Sequence, residues 1–450
     1  MFKKVLIANR GEIALRVVRA CRDLGVQSVV AYSEADRDSL PVRFADEAIC
    51  IGPAASAKSY LSAPAIISAA MVTGADALHP GVGFLSENPY LAEICERVGL
   101  TFIGPSPTVI EKMGDKTTAR NTMQAAGLPV VPGAEAALPN VDAAKRLAAE
   151  IGYPVMLKPL AGGGGRGIRI IENETELERN FPLARNEADK AFSSGELYLE
   201  SYVRNPRHIE IQLLGDNFGN VIHLGERDCS IQRRYQKLIE EAPAPNLSDE
   251  LRRQIGEAAV KGAKSVGYTN AGTMEFLLDA EGNFFFMEMN TRIQVEHTVT
   301  EAVTGIDLVK WQLRIAAGER LTLTQKDVKM QGCAIECRVN AEDPANDFRP
   351  NAGRVDLFVP PGGIGIRVDS HLFSGYTVPP HYDSLLAKII AFGDTRQEAI
   401  ERLERALHET VVSGIKTSIP FQQTILAHPE YRAGRFFLNF VEKVVAAGKG

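Results

Sequence analysis

The first 115 residues alternate between two kinds of apolar pattern. Short apolar runs have the length of buried strands, whereas the stretch from Glu12 to Leu24 has helical apolar spacing and ends at Gly25. The predicted strands lie at residues 5–8, 29–32, 75–79 and 100–104. Strands that alternate with helices predict a parallel, doubly wound, Rossmann-like α/β sheet. Only Gly11 follows the first strand, where a dinucleotide fingerprint needs three glycines, so we reject an NAD site there.

The pattern changes after residue 115. Residues 115–127 predict a connecting helix, which the prolines at 129 and 132 end. A small segment follows, with a helix at 141–151 and strands at 153–158, 167–171 and 196–200, and the chain is then strand-rich and later mixed. We therefore predict four parts: an N-terminal α/β domain over 1–115, a helical linker over 116–130, a small subdomain over 131–203, and an α+β region over 204–450.

Two neighbouring strands of the C-terminal part carry acidic residues at matching positions. Residues 272–279 and 284–290 predict a hairpin whose turn is centred on Glu281 and Gly282, which places Glu275 directly opposite Glu288. Asn290 faces the same side, because strand side chains repeat with period two. Opposed like charges destabilise a ladder, so we expect a positive group between them. Such hard oxygen ligands suit magnesium or manganese, and a solvated acidic face is the alternative.

Composition narrows the class of protein. The chain is 45% hydrophobic and 24% charged, as is ordinary for a globular protein, and its net charge of −6 argues against binding nucleic acid or anionic membranes. No apolar run approaches the roughly 20 residues that span a bilayer. Six scattered cysteines form no Cys-x-x-Cys pair, which argues against a zinc site and favours a reduced, cytoplasmic protein. An anionic substrate would need a local basic cluster.

A glycine-rich segment lies between two predicted strands. Residues 162–165 are four consecutive glycines, with Lys158 shortly before them and Arg166 after them. Such a segment is costly to order, and it suits a backbone that lies against a phosphate. It lacks the Gly-Lys-Ser/Thr ending of a P-loop and a following helix. We interpret it as a mobile flap that closes over ATP; a flexible hairpin tip is the alternative.

Two further segments carry dense charge. Residues 226–241 hold both signs without helical spacing, and we interpret them as a loop that presents cations to a small anion, with solvated charge as the alternative. In residues 288–297, Glu288, Asn290, Arg292 and Glu296 share parity, so a short extended run would aim them into one site. An arginine there suits planar oxyanions, and Glu296 is a candidate general base.

Together these segments resemble biotin carboxylase, the ATP-grasp subunit or domain of biotin-dependent carboxylases. The resemblance covers essentially all 450 residues. It rests on the motifs at 7–14, 79–88, 113–116, 158–167, 226–230, 233–237, 288–297 and 336–343. It implies a Rossmann-like N-terminal domain, an ATP-grasp domain whose mobile glycine-rich lid lies in residues 131–203, and a C-terminal biotin carboxylase domain.

The resemblance also implies roles for residues by position. The implied ATP contacts are Lys116, Lys158, Gly163, Gly164, Gly165, Glu200, Val203, His208, Gln232 and Glu275. The implied ligands of two magnesium ions, with manganese as an alternative, are Glu275, Glu288 and Asn290. Bicarbonate is implied at Lys237, Arg292, Gln294, Val295 and Glu296, and biotin at Val82 and Arg338. Val82 and Tyr235 depart from the tyrosine and histidine that many members carry there.

The implied reaction carboxylates the biotin ureido N1 with ATP and bicarbonate, through carboxyphosphate, and releases ADP and phosphate. Glu296 would deprotonate bicarbonate, with Lys237 and Arg292 holding it, and Arg338 would stabilise the biotin enolate. No Ala-Met-Lys-Met attachment motif occurs, so we expect a separate biotin carboxyl carrier protein and a separate carboxyltransferase. A homodimer is expected, because Arg19, Asp23 and Arg367 match the family's contact in charge, although Ile364 replaces an aromatic residue.

Two alternatives stay open at this point. Another ATP-grasp ligase with an amine acceptor would share the hairpin and the flap, but would not need Lys237, Arg292, Glu296 and Arg338 together. A regulatory subunit that binds nucleotide without catalysis would be expected to lose a metal carboxylate or the base. The final carboxyl acceptor, as in acetyl-CoA carboxylase or a two-chain pyruvate carboxylase, is chosen by the carboxyltransferase and not by this chain.

Overall fold

The computed structural model describes residues 1–134, 136–160, 167–192 and 194–447. Its first part is a parallel five-stranded sheet in the order β3-β2-β1-β4-β5, which confirms the predicted doubly wound fold. The strands are β1 (Lys4–Ile7), β2 (Gln27–Ser33), β3 (Glu47–Gly52), β4 (Ala77–His79) and β5 (Thr101–Phe102). The helices are α1 (Gly11–Asp23), α2 (Leu40–Phe44), α3 (Ala63–Thr73), α4 (Pro89–Arg97) and α5 (Pro107–Gly114).

A small antiparallel sheet with two helices forms the second part. Its strands are β6 (Val155–Pro159), β7 (Arg169–Ile171) and β8 (Leu197–Ser201), in the order β7-β6-β8. Its two helices are α7 (Val141–Ile151) and α8 (Glu174–Phe192), and α6 (Lys116–Ala125) links the first part to them. Alanines of α7 and apolar residues of α8 pack on Leu157 and Leu199 to form a separate core. The glycines at 163, 164 and 165 lie outside the described residues, so the flap interpretation stays a prediction.

The remaining strands are β9 (Arg207–Gly215), β10 (Val221–Arg233), β11 (Gln236–Ala242), β12 (Asn270–Leu278), β13 (Phe284–Asn290), β14 (Cys333–Asn340), β15 (Glu342–Asp343), β16 (Arg349–Pro350), β17 (Gly353–Arg354), β18 (Leu357–Val359), β19 (Ile366–Ser370), β20 (Thr377–Val378), β21 (Leu385–Gly393) and β22 (Val411–Ser413). The helices are α9 (Asp249–Ser265), α10 (His297–Thr304), α11 (Leu308–Ala316), α12 (Arg396–Glu409), α13 (Ile419–Ala427), α14 (Pro429–Arg432) and α15 (Phe440–Ala447). One antiparallel sheet, β13-β12-β9-β10-β11-β14-β21-β19, runs through this part. No described helix combines the length and apolar character needed to cross a membrane.

The charged run at 226–241 forms two strands of this sheet, so our interpretation of it as a loop is wrong. Residues 224–232 and 238–242 are buried, and the chain reverses only at Arg234 and Tyr235, which have φ values of 48° and 65°. Most of the buried charges are paired internally; Glu226, for example, lies 2.7 Å from Arg252 of α9. Dense charge resembles a solvated loop in sequence, but here it lines the interior of a sheet whose charges neutralise one another.

Asn9 anchors the loop that follows β4 and carries Val82. Its buried amide Nδ2 donates to the carbonyl oxygens of Pro80 at 2.7 Å and Val82 at 2.8 Å. Gly81 sits between them with φ +66°, and a Cβ there would meet the Asn9 side chain at 2.7 Å. The position therefore requires glycine for two reasons, its backbone conformation and the lack of space.

Gly81→Ala is expected to lower the free energy of unfolding by about 2–4 kcal/mol, because left-handed strain adds to overpacking against Asn9. Gly74→Ala is the matched control: φ is also +66°, but nothing lies within 4 Å of the added Cβ. It should cost only about 1–2 kcal/mol. Urea denaturation of both variants measures the difference, and equal midpoints would contradict the packing argument.

Candidate active site

The β12–β13 hairpin brings the three predicted metal ligands together. Glu275 pairs with Glu288 and Thr273 pairs with Asn290, which confirms the predicted register of this end of the hairpin. A bulge after Glu275 shifts the ladder by one residue nearer the turn, where our register was wrong. Asn290 Nδ2 donates to Glu275 Oε1 at 2.8 Å, so both acidic residues and the amide meet at one place.

The positive group that we expected beside this pair is Lys237. Its Nζ donates to Glu275 Oε1 at 3.1 Å, to Glu210 Oε2 at 2.6 Å and to Glu296 Oε1 at 2.6 Å. Burial would lower the pKa of this ammonium, but the three carboxylates raise it well above its ordinary value. His208 adds a second polar group, with Nε2 2.8 Å from Glu275 Oε2. Lys237 is therefore charged and neutralises several acids at once.

The two opposed carboxylates differ in their electrostatics. Burial would raise the pKa of Glu275, but Lys237 and His208 outweigh it and hold that pKa below its ordinary range. For Glu288, burial and the charge of Glu275 raise the pKa, and Lys116 at the start of α6 opposes them. A bound cation would relieve this repulsion, so the donor set fits a divalent ion with oxygen ligands.

Two other groups of side chains have the residue types that could hold a metal. The ligand atoms of His208, Glu210 and Glu275 lie within 4.8 Å of one another, and so do those of Glu210, Cys229 and Glu296. Lys237 Nζ bonds to two carboxylates in each group, so its ammonium already provides a positive charge there. The hairpin pair remains the better metal candidate.

Glu296 lies directly before α10 and is fully buried. Its Oε1 accepts from Lys237, and its Oε2 accepts from Arg338 Nη2 at 2.8 Å. Burial would raise its pKa, but Lys237, Arg338 and Arg227 hold it well below the ordinary range. The extended run that we expected ends at Asn290, and residues 291–296 turn into the helix. The charged partners of Glu296 come instead from two neighbouring strands, Lys237 from β11 and Arg338 from β14.

Arg292 is fixed by contacts that cross from the N-terminal domain. Its Nε donates to Glu87 Oε2 at 2.8 Å, and Glu87 Oε1 accepts from the Thr291 amide at 2.9 Å. Its Nη1 donates to Gln294 Oε1 at 2.9 Å, and its Nη2 donates to Asn290 Oδ1 at 3.0 Å. Sequence reasoning gave Glu87 no role, because its partner lies 205 residues further along the chain.

Two fully buried charges were also missed, Glu210 of β9 and Arg227 of β10. Arg227 Nε donates to Glu210 Oε1 at 2.5 Å, so Glu210 bridges Arg227 and Lys237. The other side chains that accept from Arg227 are Gln212, Thr273 and Thr300. The sequence signal that could have indicated Glu210 is the clean alternation of polar and apolar residues along β9. Its polar residues 208, 210 and 212 all face this cluster.

The predicted nucleotide contacts lie in two places. His208 and Gln232 are adjacent beside Glu275, with 3.2 Å between His208 Nδ1 and Gln232 Nε2. Lys158 of β6 and Glu200 of β8 form an ion pair in the small subdomain. Val203 lies two residues beyond the end of β8.

The two predicted biotin contacts, Arg338 and Val82, lie in different parts of the structure. Arg338 of β14 donates from Nε to Glu240 Oε1 at 2.5 Å as well as to Glu296, so two acids hold its guanidinium. Val82 is half-buried and packs against the core of the N-terminal domain.

Among the predicted bicarbonate residues, Val295 contributes its backbone. The carbonyl of Val295 accepts from Lys388 Nζ at 2.7 Å, which fixes the backbone next to Glu296.

Comparison with known proteins gives a consistent result along the chain. Three family profiles match in succession: Biotin carboxylase, N-terminal domain, over residues 1–110; Carbamoyl-phosphate synthase L chain, ATP binding domain, over 115–324; and Biotin carboxylase C-terminal domain, over 336–443. The chain is 56% identical to Biotin carboxylase 1 of Bacillus subtilis over 98% of each chain. It is 54% identical to the 2-oxoglutarate carboxylase small subunit of Hydrogenobacter thermophilus, over 98% of this chain and 94% of that one.

Solved structures agree. The biotin carboxylase domain dimer of the Hydrogenobacter thermophilus 2-oxoglutarate carboxylase, in complex with MgADP, ADP and bicarbonate, superposes with a TM-score of 0.93 at 53% identity over 99% of both chains. A biotin carboxylase β-γ-ATP complex from Campylobacter jejuni gives a TM-score of 0.94 at 48% identity, over 98% of this chain and 99% of that one.

Proposed function

The chain belongs to the biotin carboxylase family, and from this premise we propose which of its residues carry the reaction. The enzyme uses ATP and bicarbonate to carboxylate biotin. The alternatives of an amine ligase and of a regulatory protein without catalysis are set aside, because biotin carboxylase profiles match both ends of the chain. The observation that carries the residue assignment is the convergence of Lys237, Arg338 and Glu296 in one buried cluster.

We propose that Glu296 is the base that deprotonates bicarbonate. Its depressed pKa means that it is ionised at neutral pH, which is the form a base needs. Lys237 and Arg292 would hold bicarbonate, and a bicarbonate ion that draws Lys237 toward itself would remove part of the charge that holds the pKa of Glu296 down. Gln294 and Val295 would line the same anion site. The resulting carbonate oxygen would attack the γ-phosphate of ATP and give carboxyphosphate and ADP.

The metal assignment is Glu275, Glu288 and Asn290. Bound magnesium would neutralise charge on the ATP phosphates, and we propose two ions, with manganese as a substitute. Lys237 and His208 hold the pKa of Glu275 down, whereas burial and Glu275 raise the pKa of Glu288, and a bound cation would lower the pKa of Glu288. Equilibrium dialysis of the metal with Glu288→Gln should show weaker binding than wild type, and equal binding would overturn the assignment.

The nucleotide site would combine the cluster with the small subdomain. Lys116, Lys158, His208 and Gln232 are proposed to hold the phosphates, and residues 163–165 to close above them. Glu200 and Val203 would border the adenine. Lys158, a proposed phosphate contact, forms an ion pair with Glu200, a proposed adenine contact, which supports one pocket for the whole nucleotide. Phosphoryl transfer depends mainly on such positioning and charge.

We propose that Arg338 receives the biotin ureido oxygen as negative charge develops on it. Carboxyphosphate would break down to carbon dioxide and phosphate, the phosphate would take the proton from N1, and N1 would attack carbon dioxide. A guanidinium held at two edges by Glu240 and Glu296 keeps its remaining N–H groups in a fixed direction. Val82, on the loop anchored by Asn9, would border the biotin ring.

The partners proposed for this chain are a biotin carboxyl carrier protein, a carboxyltransferase and a second copy of itself. Two relatives whose names mark them as single subunits of a 2-oxoglutarate carboxylase and a pyruvate carboxylase support the first two, and the solved dimer supports the third. Ile364 is 85% exposed, as a residue at a contact between copies would need to be. Sedimentation at assay concentration should give a dimer for wild type, and only monomer would contradict this.

Two further assignments remain proposals. We keep the division into residues 1–115, 116–130, 131–203 and 204–450, for which limited proteolysis between 116 and 130 is the test. We also propose a cytoplasmic location, because every cysteine is unpaired in the structure and free thiols suit a reducing compartment. Cell fractionation with an antibody against the chain tests the second.

Phosphate release from ATP, with magnesium, bicarbonate or free biotin omitted in turn, tests the proposed function. Release that requires bicarbonate and rises with biotin is expected. Release that is indifferent to both would contradict it.

Glu87→Gln is expected to raise the KM for bicarbonate by about 10-fold with a smaller effect on kcat, because Arg292 loses a charged partner that orients it. Glu93→Gln is the control, since Glu93 pairs with Arg97 on the surface of α4. Steady-state kinetics with varied bicarbonate measures both. An unchanged KM for Glu87→Gln would contradict the role of Glu87 in positioning Arg292.

A further inference from the structure

Two glutamates face each other behind Arg338; the mechanism above uses Glu240 only as a hydrogen-bond partner of Arg338 and gives Glu336 no part. Glu240 of β11 and Glu336 of β14 are direct partners in the sheet, and both are fully buried. Each has one engaged oxygen: Glu240 Oε1 accepts from Arg338, and Glu336 Oε2 accepts from the Thr298 hydroxyl. The other oxygens, Glu240 Oε2 and Glu336 Oε1, lack a donor among the described residues.

The nearby cations are too few to neutralise these acids. On the same face, Arg338 pairs with Lys388 across β14 and β21. The acids that act on these two cations include the four carboxylates of Glu12, Glu240, Glu296 and Glu336. Arg338 is shared by Glu240 and Glu296, and Lys388 Nζ lies 3.1 Å from Glu12 while bonding to the Val295 carbonyl. The other charged or titratable groups around the pair are engaged elsewhere or neutral: Lys237 with three acids, Asp369 with Arg367, and the thiols Cys229 and Cys337.

We propose that Glu240 and Glu336 share one proton, and that this carboxyl pair positions Arg338 and limits the negative charge that surrounds its guanidinium. Two ionised carboxylates directly opposed in a dry interior are strongly destabilising, and a proton between their two unpartnered oxygens removes the repulsion. The pair then carries one negative charge instead of two beside Arg338, in addition to the charge of Glu296. The inference rests on the proposed role of Arg338 toward biotin, and it makes Glu240 and Glu336 positioning residues.

The titration of the pair is consistent with this arrangement. Burial raises the pKa of Glu240 to about 7 and that of Glu336 to about 8, with Arg338 and Lys388 respectively opposing the shift. Such neighbours titrate as a unit, so the proton belongs to the pair and not to one residue. As the pH rises, the pair loses this proton and its charge doubles from one negative charge to two, so the negative charge beside Arg338 increases and the biotin-dependent rate should fall.

Glutamine mimics a protonated glutamate, so the pH profile of biotin-dependent phosphate release tests the proposal. For Glu240→Gln we expect a rate within about 3-fold of wild type near pH 7 and a rise of the variant-to-wild-type ratio at higher pH. This ratio cancels the titration of bicarbonate and phosphate. A loss above about 30-fold near pH 7, with ATP KM unchanged, would show that an ionised Glu240 is needed and would overturn the proposal.

Infrared difference spectroscopy tests the proton without reference to activity. A protonated carboxyl band is expected in wild type near neutral pH and should disappear in Glu240→Gln and in Glu336→Gln. Glu241→Gln is the control, because this neighbour is also buried but pairs with Arg396. A band that persists in both variants overturns the shared proton. A band lost in both, with an unchanged pH profile, overturns its link to Arg338.

Discussion

Glu296→Gln is expected to lower bicarbonate-dependent phosphate release by about 10³-fold, because the variant keeps the shape of the side chain but cannot take a proton. The KM for ATP should stay close to wild type, since Glu296 contacts Lys237 and Arg338 and no proposed nucleotide residue. The substitution also leaves Lys237 with two carboxylates, so the fold should persist. Initial rates at saturating ATP and varied bicarbonate measure the effect.

The control for this prediction is Glu257→Gln, which replaces an exposed glutamate of α9 whose partner is Arg253. It should leave every rate unchanged within error. Circular dichroism and thermal denaturation of both variants separate loss of function from loss of fold. If Glu296→Gln retained more than about a tenth of the wild-type rate, another group would have to be the base.

Lys237→Met is expected to destabilise the protein by about 3–5 kcal/mol and to abolish measurable carboxylation. The side chain is largely buried, and its removal leaves the carboxylates of Glu210, Glu275 and Glu296 without their shared ammonium. Arg227 and Arg338 would still compensate two of them, which is why we expect a folded but weakened protein. Urea denaturation at neutral pH gives the size of the loss.

The pH dependence of that loss has a definite sign. In wild type the pKa of Glu296 is depressed, so Glu296 contributes stability above its unfolded pKa and loses it as the pH falls. Without Lys237, only Arg338 and Arg227 oppose the effect of burial, so the pKa of Glu296 is higher than in wild type and the variant loses less stability as the pH falls. The stability gap should therefore shrink as the pH falls toward about 4. Lys326→Gln, an exposed lysine, should show no gap, and a gap independent of pH would contradict the argument.

Local pattern was enough to predict the parallel N-terminal sheet, helix α7 and the opposed pair of Glu275 and Glu288. These features depend on neighbours close in sequence: an apolar period, a capping asparagine before residue 141, and a short turn at 280–283. The bulge after Glu275 was not predictable, because the apolar pattern of the two strands carries no sign that β13 holds an extra residue, Met287.

Contacts between distant segments set the limit of sequence reasoning. The charged run at 226–241 was taken for a loop because its partners, among them Glu210, Arg252 and Arg338, lie elsewhere in the chain. The pairing of Glu87 with Arg292 crosses two domains and leaves no local periodicity. The roles of Lys237, Arg292, Glu296 and Arg338 came from resemblance to a family, and the structure adds the distances on which the predictions depend.

Isotope labelling gives the most direct test that bicarbonate attacks the γ-phosphate of ATP. With bicarbonate labelled with oxygen-18, attack of bicarbonate on the γ-phosphate must leave a labelled oxygen in the released phosphate, which mass spectrometry detects. We expect the labelled phosphate to form in wild type and to fall together with the rate in Glu296→Gln. Phosphate that forms at the wild-type rate without the label would mean that water is the nucleophile, and it would contradict the account.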